Sequence, residues 1–454
     1  MRLLYLMSYA SPEKAASNYL GQNRNIAFAK EGWNIELFVP TPCRGLTIEE
    51  IREYRKKEHK REASYDGHMT IHRFSMYSEG KNPILRAIRY FLIVFKQIFL
   101  GIFDKDAKKC NIIFTNSTPP IQGAAAVIVK KCRRIPFVYN LQDIFPDSLA
   151  GTGLAKKGGL LWKIGRVIED FTYRNADKII VISEDFKRNI MAKGVPEEKI
   201  EVIYNWVDEE AVVDMPRSEN KLFDKYGLDR SKFYVTYNGN IGLTQNMDML
   251  MEVAESLEPN TDIQFVLVGE GAYKEQVEKM IEERNIKNVT LLPFQPYEDI
   301  SHVFSLGDVS LVISKPGVGA NSVPSKTWSI MSASRPVLAN FDEGELKDIV
   351  EGNVDGNLDD NDNRDNNINL DLDVDENLDF NGNQNVVAKP CGIFTKAGDK
   401  EAFKEAILKL YRNPELCKEY GRNGRQFILQ NLTKEVGTRK YVEVIKSVAE
   451  EKRK

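Results

Sequence analysis

At 454 residues, 42% hydrophobic and 28% charged, the chain is too long for one hydrophobic core and suits two domains of roughly 200 residues each. Its net charge of −3 hides an asymmetry: residues 353–385 hold nine Asp, one Glu and one Arg, so the remainder carries +6, and such a body favours anionic partners such as nucleotides, phosphates or an acidic membrane face. Cys43, Cys110, Cys132, Cys391 and Cys417 show no CxxC spacing, which excludes a disulfide framework or thiolate metal site and indicates a reducing cytoplasm.

Met1 to Met7 is too short an apolar run for a signal peptide and reads as a buried first strand. Residues 2–7, a helix from Pro12 to Lys30 and a strand from Trp33 to Val39 open the chain as a βαβ unit with a parallel sheet. The loop Ser8 to Ala16 contains no glycine, so it is neither a P-loop nor a GxGxxG turn. It nevertheless lies at a strand C-terminal end, where open α/β sheets bind ligands. Thr47 to Arg61 is densely charged and reads as a solvated excursion. Asp66-Gly67 is a tight turn into a strand, Met69 to Phe74. The histidines His59, His68, His72 and His302 form no HExxH-type motif, so no metal site is expected.

Ile84 to Phe103 is the most apolar segment. At 100° per residue, Ile84, Ile88, Phe91, Phe95, Ile98 and Ile102 fall in one sector of roughly 80°, with Arg86, Arg89 and Lys96 opposite. These charges exclude a spanning helix. Two readings remain: a helix packed on the sheet with its basic face in water, or a basic amphipathic helix lying in a membrane interface. Lys105, Lys108, Lys109, Lys130, Lys131, Arg133 and Arg134 thicken the positive surface and favour the second.

Further strands at Asn111 to Thr115, Phe137 to Asn140 and Lys178 to Ile182 extend the alternation to about residue 204. Two of them end in Asn116-Ser-Thr-Pro-Pro120 and Gln142-Asp-Ile-Phe-Pro-Asp147. Asp143 either orients a hydroxyl, acts as a base, or merely caps a helix. After a less regular stretch the second half repeats the pattern, with strands at Tyr234 to Asn238, Gln264 to Val268, Val289 to Leu292, Val309 to Ile313 and Pro336 to Ala339. Two of these end in glycine loops, Asn238-Gly-Asn-Ile-Gly242 and Gly269-Glu-Gly271, where small residues admit a ligand to the backbone.

The stretch Ser322 to Leu338 reads as a loop, a helix opened by Pro324 and Ser325, and a new strand. A helix start with a lysine in its first turn suits a diphosphate; its plain alternative is a capped helix with a solvated lysine. Residues 353–385, Asn- and Asp-rich, read as a disordered insertion. Asp371, Asp373 and Asp375 have calcium-loop spacing, but Glu376 and Gly382 occupy positions that require Gly and Glu. Two helices follow, Lys400 to Arg412 and Pro414 to Asn431, then a terminal helix from Thr433.

Two doubly wound halves, the glycine loops of the second, Asn205-Trp-Val-Asp208 and Pro324-Ser-Lys326 together resemble the family 4 glycosyltransferases. Leu141-Gln-Asp-Ile-Phe-Pro146, Tyr237-Asn-Gly-Asn-Ile-Gly242 and Val323-Pro-Ser-Lys-Thr-Trp328 resemble the branch containing N-acetyl-L-fucosamine transferases of O-antigen and capsule assembly. The resemblance implies an α/β protein of GT-B fold, two doubly wound Rossmann-like domains facing a central cleft. Residues 1–206 would bind acceptor and 207–432 the nucleotide sugar, with 433–454 a helix returning to the first domain. It also implies a retaining hexosyltransferase. The sugar, an N-acetylated deoxyhexosamine, would pass from a nucleoside diphosphate, UDP in expectation, to a polyprenyl-diphosphate-linked saccharide in surface polysaccharide synthesis.

By position, Gly239 and Gly242 would approach the diphosphate and Gly269 and Gly271 the nucleotide, with Lys326 neutralising phosphate charge. Asn240, Glu270, Lys315, Ser325, Thr327 and Ser329 complete the donor set. Tyr9, Ser11, Ser117 and Thr118 face the acceptor. Lys326 and Asp143 are the catalytic candidates, no metal cofactor is expected, and nucleic acid is not a partner. The implied location is cytoplasmic, peripheral on the inner face of the membrane through Ile84 to Phe103. The sequence departs from the family in three places. The usual glutamate pair falls on Asn321 and Ser329, the usual diphosphate Arg and Lys fall on Asn240 and Gln245, and the first loop lacks its glycines. Two other functions stay open: a nucleotide-sugar 2-epimerase, which uses two similar domains but needs acid/base residues around the sugar and no lipid acceptor, and a non-catalytic nucleotide-sugar-binding protein, which fits the missing glutamates.

Overall fold

The computed structural model describes residues 1–13, 18–58, 60–80, 82–148, 156, 158–319, 322–353 and 389–451. The calcium-like spacing and nearly all of the acidic insertion, together with Asn321 and the end of the first loop, therefore lie outside the described residues. The chain forms two compact units. One comprises Met1–Ala211, Lys315–Trp328 and Ile428–Lys454, and the other Val212–Ser314 and Ser329–Phe427.

In the first unit the strands are β1 (Arg2–Leu6), β2 (Asn34–Pro40), β3 (Arg61–Ser64), β4 (Met69–Phe74), β5 (Ile112–Asn116), β6 (Phe137–Leu141), β7 (Lys178–Val181) and β8 (Ile200–Val202). Among the described residues they lie in the order β3-β4-β2-β1-β5-β6-β7-β8. All neighbours are parallel except β3 with β4. Near-continuous burial along β1, β2, β5 and β6 is what a parallel sheet covered on both faces requires. The chain runs outward from β1 through β2, then returns to β5 on the other side, so β1 and β5 flank the topological switch point.

Thr47 to Arg61 is not a simple solvated excursion. Ile48–Arg55 forms a helix whose Thr47 and Glu50 make a capping box, and β3 begins at Arg61. The Thr-x-x-Glu spacing was the legible signal. Tyr65, Asp66 and Gly67 all have positive φ, and the turn they make joins β3 to β4 as a hairpin.

The helix Pro83–Phe103 is opened by Asn82, whose Oδ1 accepts from the N–H of Ile84 and of Leu85. Part of its polar side faces inward: Arg89 is 0% exposed, donating from Nε to Tyr77 O at 3.0 Å and lying 3.8 Å from Glu79. Gln97 is also buried and donates to the carbonyls of Met7 and Phe38. Phe91 (61%), Phe95 (62%) and Phe99 (57%) face outward with Ile84, Leu85, Ile88, Leu92 and Phe103. Of the expected apolar sector, Ile98 and Ile102 are half-buried. The large apolar side chains therefore face outward, while Arg89 and Gln97 turn inward beside Ile93 and Val94 and complete hydrogen bonds there that water would otherwise supply; Arg86 and Lys96 stay exposed.

The basic residues nearby are partly consumed. Lys109 pairs with Asp106 and Lys130 with Asp177, while Arg133 donates to four carbonyls, among them Gly101 and Ala107. The positive surface is smaller than the sequence implied. The helix Gln122–Arg133 packs against both Pro83–Phe103 and Leu160–Asn175. The last also turns apolar side chains outward, Leu160, Leu161, Ile164 and Val167.

The helix Lys434–Glu451 packs against the helix Asn18–Lys30. It is locked by Tyr441, whose hydroxyl reaches Asn140 Oδ1 at 2.9 Å, and by Gly437, where a Cβ would lie 2.2 Å from the Trp206 ring.

In the second unit the strands are β9 (Phe233–Asn238), β10 (Ile263–Val268), β11 (Val289–Leu292), β12 (Val309–Ile313), β13 (Val337–Phe341) and β14 (Gly392–Lys396). They form an all-parallel sheet ordered β11-β10-β9-β12-β13-β14. Its switch point lies between β9 and β12.

Candidate functional site

Each sheet offers chemistry at the strand ends beside its switch point, where the strand order reverses and a crevice opens. In the second unit β9 ends at Asn238, which is buried with neither side-chain amide atom hydrogen-bonded. The next residue after β12 is Ser314, also buried, whose Oγ has no partner. A buried polar group without a partner costs about 1–3 kcal/mol, so two such groups beside one crevice are polar atoms that a ligand can satisfy. Sequence reading missed both; the signal available was a polar residue closing each of the two strands on either side of the reversal.

The two glycine loops follow β9 and β10, which run parallel with Asn238 opposite Val268. Gly239 N donates to Val268 O (2.9 Å) and Ile241 N to Glu270 O (2.9 Å). A Cβ on Gly269 would stand 1.9 Å from Gly239 O, and one on Gly271 would stand 2.2 Å from Ile241 O. These glycines are thus required first for loop to lie on loop. Gly242 N donates to Gln245 Oε1 at 3.1 Å, so this amide is occupied by the residue standing where the family has a cation. Asn240 is exposed, and Glu270 forms a surface ion pair with Lys274 at 2.7 Å. Gly239, Asn240, Gly242, Gly269, Glu270 and Gly271 come together at one edge of this sheet.

Lys315, Ser325, Lys326 and Thr327 group with the first unit and Ser329 with the second. The helix Lys326–Ser332 is short and starts with Thr327 N donating to Pro324 O at 2.9 Å. Ser325 is exposed and Lys315 half-buried, whereas Thr327 is fully buried with Oγ1 unpartnered. Lys326 is half-buried, and desolvation pushes its ammonium down to about 7. It is neither the fully solvated lysine of a plain helix cap nor a fixed charge at neutral pH.

In the first unit, a cavity of about 480 Å³ runs from the ends of β1, β5 and β6 to β4. Tyr9, Ser11 and Thr118 line it. The Tyr9 hydroxyl donates to Glu79 (2.6 Å) and lies 2.8 Å from that of Tyr90; burial, then these partners, raise its pKa. The hydroxyl of Tyr9 is thus engaged within the protein. Ser117 is buried, its Oγ accepting from the N–H of Gln142 (3.0 Å) and of Asp143 (3.2 Å), so it ties two strand ends together. Asp143 follows the lining residue Gln142, is not itself among the residues that line the cavity, and is exposed. Desolvation by its surroundings raises the carboxyl pKa against the hydrogen bond from Ser148 Oγ (3.1 Å). Among the described residues no group of three His, Cys, Asp or Glu side chains is placed to hold a metal ion.

Two family models match the chain: Glycosyltransferase Family 4 over residues 26–211 and Glycosyl transferases group 1 over residues 218–369. With both sheets and both switch points in place, the chain belongs to the family 4 glycosyltransferases and has the GT-B fold of two Rossmann-like domains. It is 30% identical over 204 residues to a protein named as a glycosyl transferase of colanic acid biosynthesis, WcaI of Escherichia coli, covering 43% of this chain and 48% of that one. It is 25% identical to a protein named as a glycosyltransferase, WbjE of Pseudomonas aeruginosa, covering 54% of this chain and 61% of that one. The matches thus span about half to three fifths of these relatives' length. Among solved structures, Anabaena HepE in complex with UDP superposes with a TM-score of 0.66 at 16% identity, covering 98% of this chain and 100% of that one.

Proposed function

We propose that the protein is a hexosyltransferase that moves a sugar from a UDP-linked donor to a lipid-linked saccharide with formal retention at the anomeric carbon, in surface polysaccharide synthesis. The observation that carries this reading is the pair of unpartnered buried groups, Asn238 and Ser314, beside the glycine loops at the second switch point. UDP in the complex of HepE supports the choice of nucleotide.

Chemically, the departing diphosphate needs its developing charge met by donors already in place. We assign Lys326 to this task, with Lys315, Ser325, Thr327 and Ser329 as further donor contacts. Asn240 and Gln245 are neutral, so Lys326 carries most of the charge compensation. The acceptor hydroxyl loses its proton to the leaving phosphate or to Asp143, and Tyr9, Ser11 and Thr118 place the acceptor. The sugar we favour is an N-acetylated deoxyhexosamine, from the resemblance to fucosamine transferases; no metal takes part in this reading.

The outward apolar faces of Pro83–Phe103 and Leu160–Asn175 support peripheral docking to an anionic membrane at the cytoplasmic face, with Arg86, Lys96 and Lys163 flanking them. No helix among the described residues is long and apolar enough to cross a membrane. A thermal-shift screen of UDP, GDP and dTDP sugars tests the donor assignment, since a ligand of the native state raises apparent stability. Stabilisation by UDP sugars above the others is expected; equal or absent shifts contradict the assignment.

A further inference from the structure

Three arginines line the cavity of the first unit, and the carboxylates beside them are already engaged. Glu13 is buried and accepts from three backbone amides: Cys43 (2.9 Å) and Arg44 (3.1 Å) on Oε1, and Ala10 (3.2 Å) on Oε2. Glu62 takes Arg73 Nε at 2.7 Å. Arg73 is 3% exposed; its Nη2 donates to Ser11 O at 2.9 Å, and its Nη1 has no acceptor.

Arg24 is 4% exposed and has no carboxylate partner among the described residues. Its Nη2 donates to the Tyr5 hydroxyl, and its guanidinium lies 5.0–5.8 Å from the rings of Phe114, Tyr441 and Tyr5. These rings hold the cation by their faces, but its Nε has no acceptor. Trp206 Nε1, another lining donor, is also unpartnered, while Asn25 Oδ1 is the one unpartnered acceptor in this lining. Arg44 is exposed, its guanidinium 5.5 Å from the Tyr9 ring.

A buried guanidinium retains its charge in any protein environment; Arg24 has no carboxylate partner among the described residues, and its idle Nε together with the idle Nη1 of the Glu62-paired Arg73 offers donors to an oxyanion in one cavity. We propose that this cavity binds an acidic acceptor, whose phosphate or carboxylate oxygens are received by Arg24 and Arg73 in the interior and by Arg44 on its exposed side. The inference rests on the reading of the first unit as the acceptor-binding half and names the acceptor's chemical class.

The test titrates the full chain with inorganic pyrophosphate, glucuronate and, as a neutral control, glucose, by calorimetry and thermal shift. One of the two anions binds the wild type, and which of them does so tells a phosphate from a carboxylate acceptor. Arg24→Lys and Arg44→Ala each weaken that binding by about tenfold or more. Arg44→Ala lies at the surface, so its folding is not at stake, and the thermal midpoint of Arg24→Lys reports whether that variant is intact. Pyrophosphate taken by the donor site is lost in Lys326→Ala, whereas the component that Arg24→Lys and Arg44→Ala weaken persists in that variant, which separates this site from a diphosphate seat in the donor site. Binding unaltered by either arginine substitution, binding lost with Lys326→Ala instead, or no binding of either anion overturns the proposal. UDP binding, measured in parallel, remains intact in both arginine variants. Its absence in the wild type would sink the donor reading without touching the anion site.

Discussion

Asn238 and Ser314 close the two strands on either side of the reversal in the second sheet, and the side chain of each is buried without a hydrogen-bond partner. Removing such a group relieves a desolvation cost of about 1–3 kcal/mol. Asn238→Leu, of similar volume, is therefore expected to raise the stability of the unliganded protein by about 1 kcal/mol while weakening UDP binding about tenfold. Chemical denaturation and calorimetry read the two effects separately. A purely structural Asn238 would lower stability on substitution and leave UDP binding alone.

Gly269 tests the contact between the glycine loops. A methyl group there would press on the Gly239 carbonyl at 1.9 Å, and backbone cannot rotate away as a side chain can. Gly269→Ala should cost about 2–3 kcal/mol in the denaturation midpoint and abolish UDP binding. Gly317→Ala is a useful contrast, because a Cβ there meets nothing within 4 Å and only its φ of +78° is strained. It should cost about 1 kcal/mol.

Lys326 makes stability and binding depend on pH in a defined direction. Its folded value of about 7 lies below the roughly 10.4 of an unfolded lysine. Between those values the unfolded chain holds a proton that the folded chain has shed, so stability rises with pH across the window. Lys326→Met flattens that rise. A bound diphosphate favours the ammonium, so donor binding at pH 8 takes up part of a proton. Calorimetry in two buffers of different ionisation enthalpy detects this in the wild type and finds none in Lys326→Met.

The helix Pro83–Phe103 separates a membrane effect from a folding effect. Phe91→Glu with Phe95→Glu alters side chains more than half exposed and should leave the thermal midpoint within about 1 °C, since surface changes stay near 0.5 kcal/mol or below. Sedimentation with vesicles containing anionic lipid should fall several-fold. Arg89→Ala, four residues away in the same helix row from Ile93, strips the partners of Tyr77 O and leaves Glu79 less compensated; it should destabilise by about 2–4 kcal/mol. Unchanged sedimentation of the double Phe variant would contradict membrane docking through this face.

Much of the fold was legible because burial on both faces of a parallel sheet writes short continuous apolar runs. Met69 to Phe74 and Val309 to Ile313 were readable to the residue. The parts that escaped carry weak periodic signals. Strand β3 is a four-residue charged edge with only half its side chains partly covered, and β14 begins with Gly392, whose smallness matters only because a Cβ would meet Val337 O at 1.9 Å. Winding Pro83–Phe103 correctly grouped its apolar residues yet could not tell which face met the sheet, since Arg89 and Gln97 find their partners in Tyr77, Met7 and Phe38, far away in sequence. The glycine loops were visible, but their immediate reason, one loop lying on the other, was not. The burial of Arg24 and Arg73 has no local sequence signal, because tertiary packing alone encloses them.

The most direct test follows UDP release and the fate of the sugar when a panel of UDP sugars is incubated with the protein and membranes containing lipid-linked saccharides. The account predicts UDP release matched by sugar appearing in the lipid fraction, with both lost in Lys326→Ala. Release of a free epimer, or donor binding with no turnover on any lipid-linked saccharide, would contradict it.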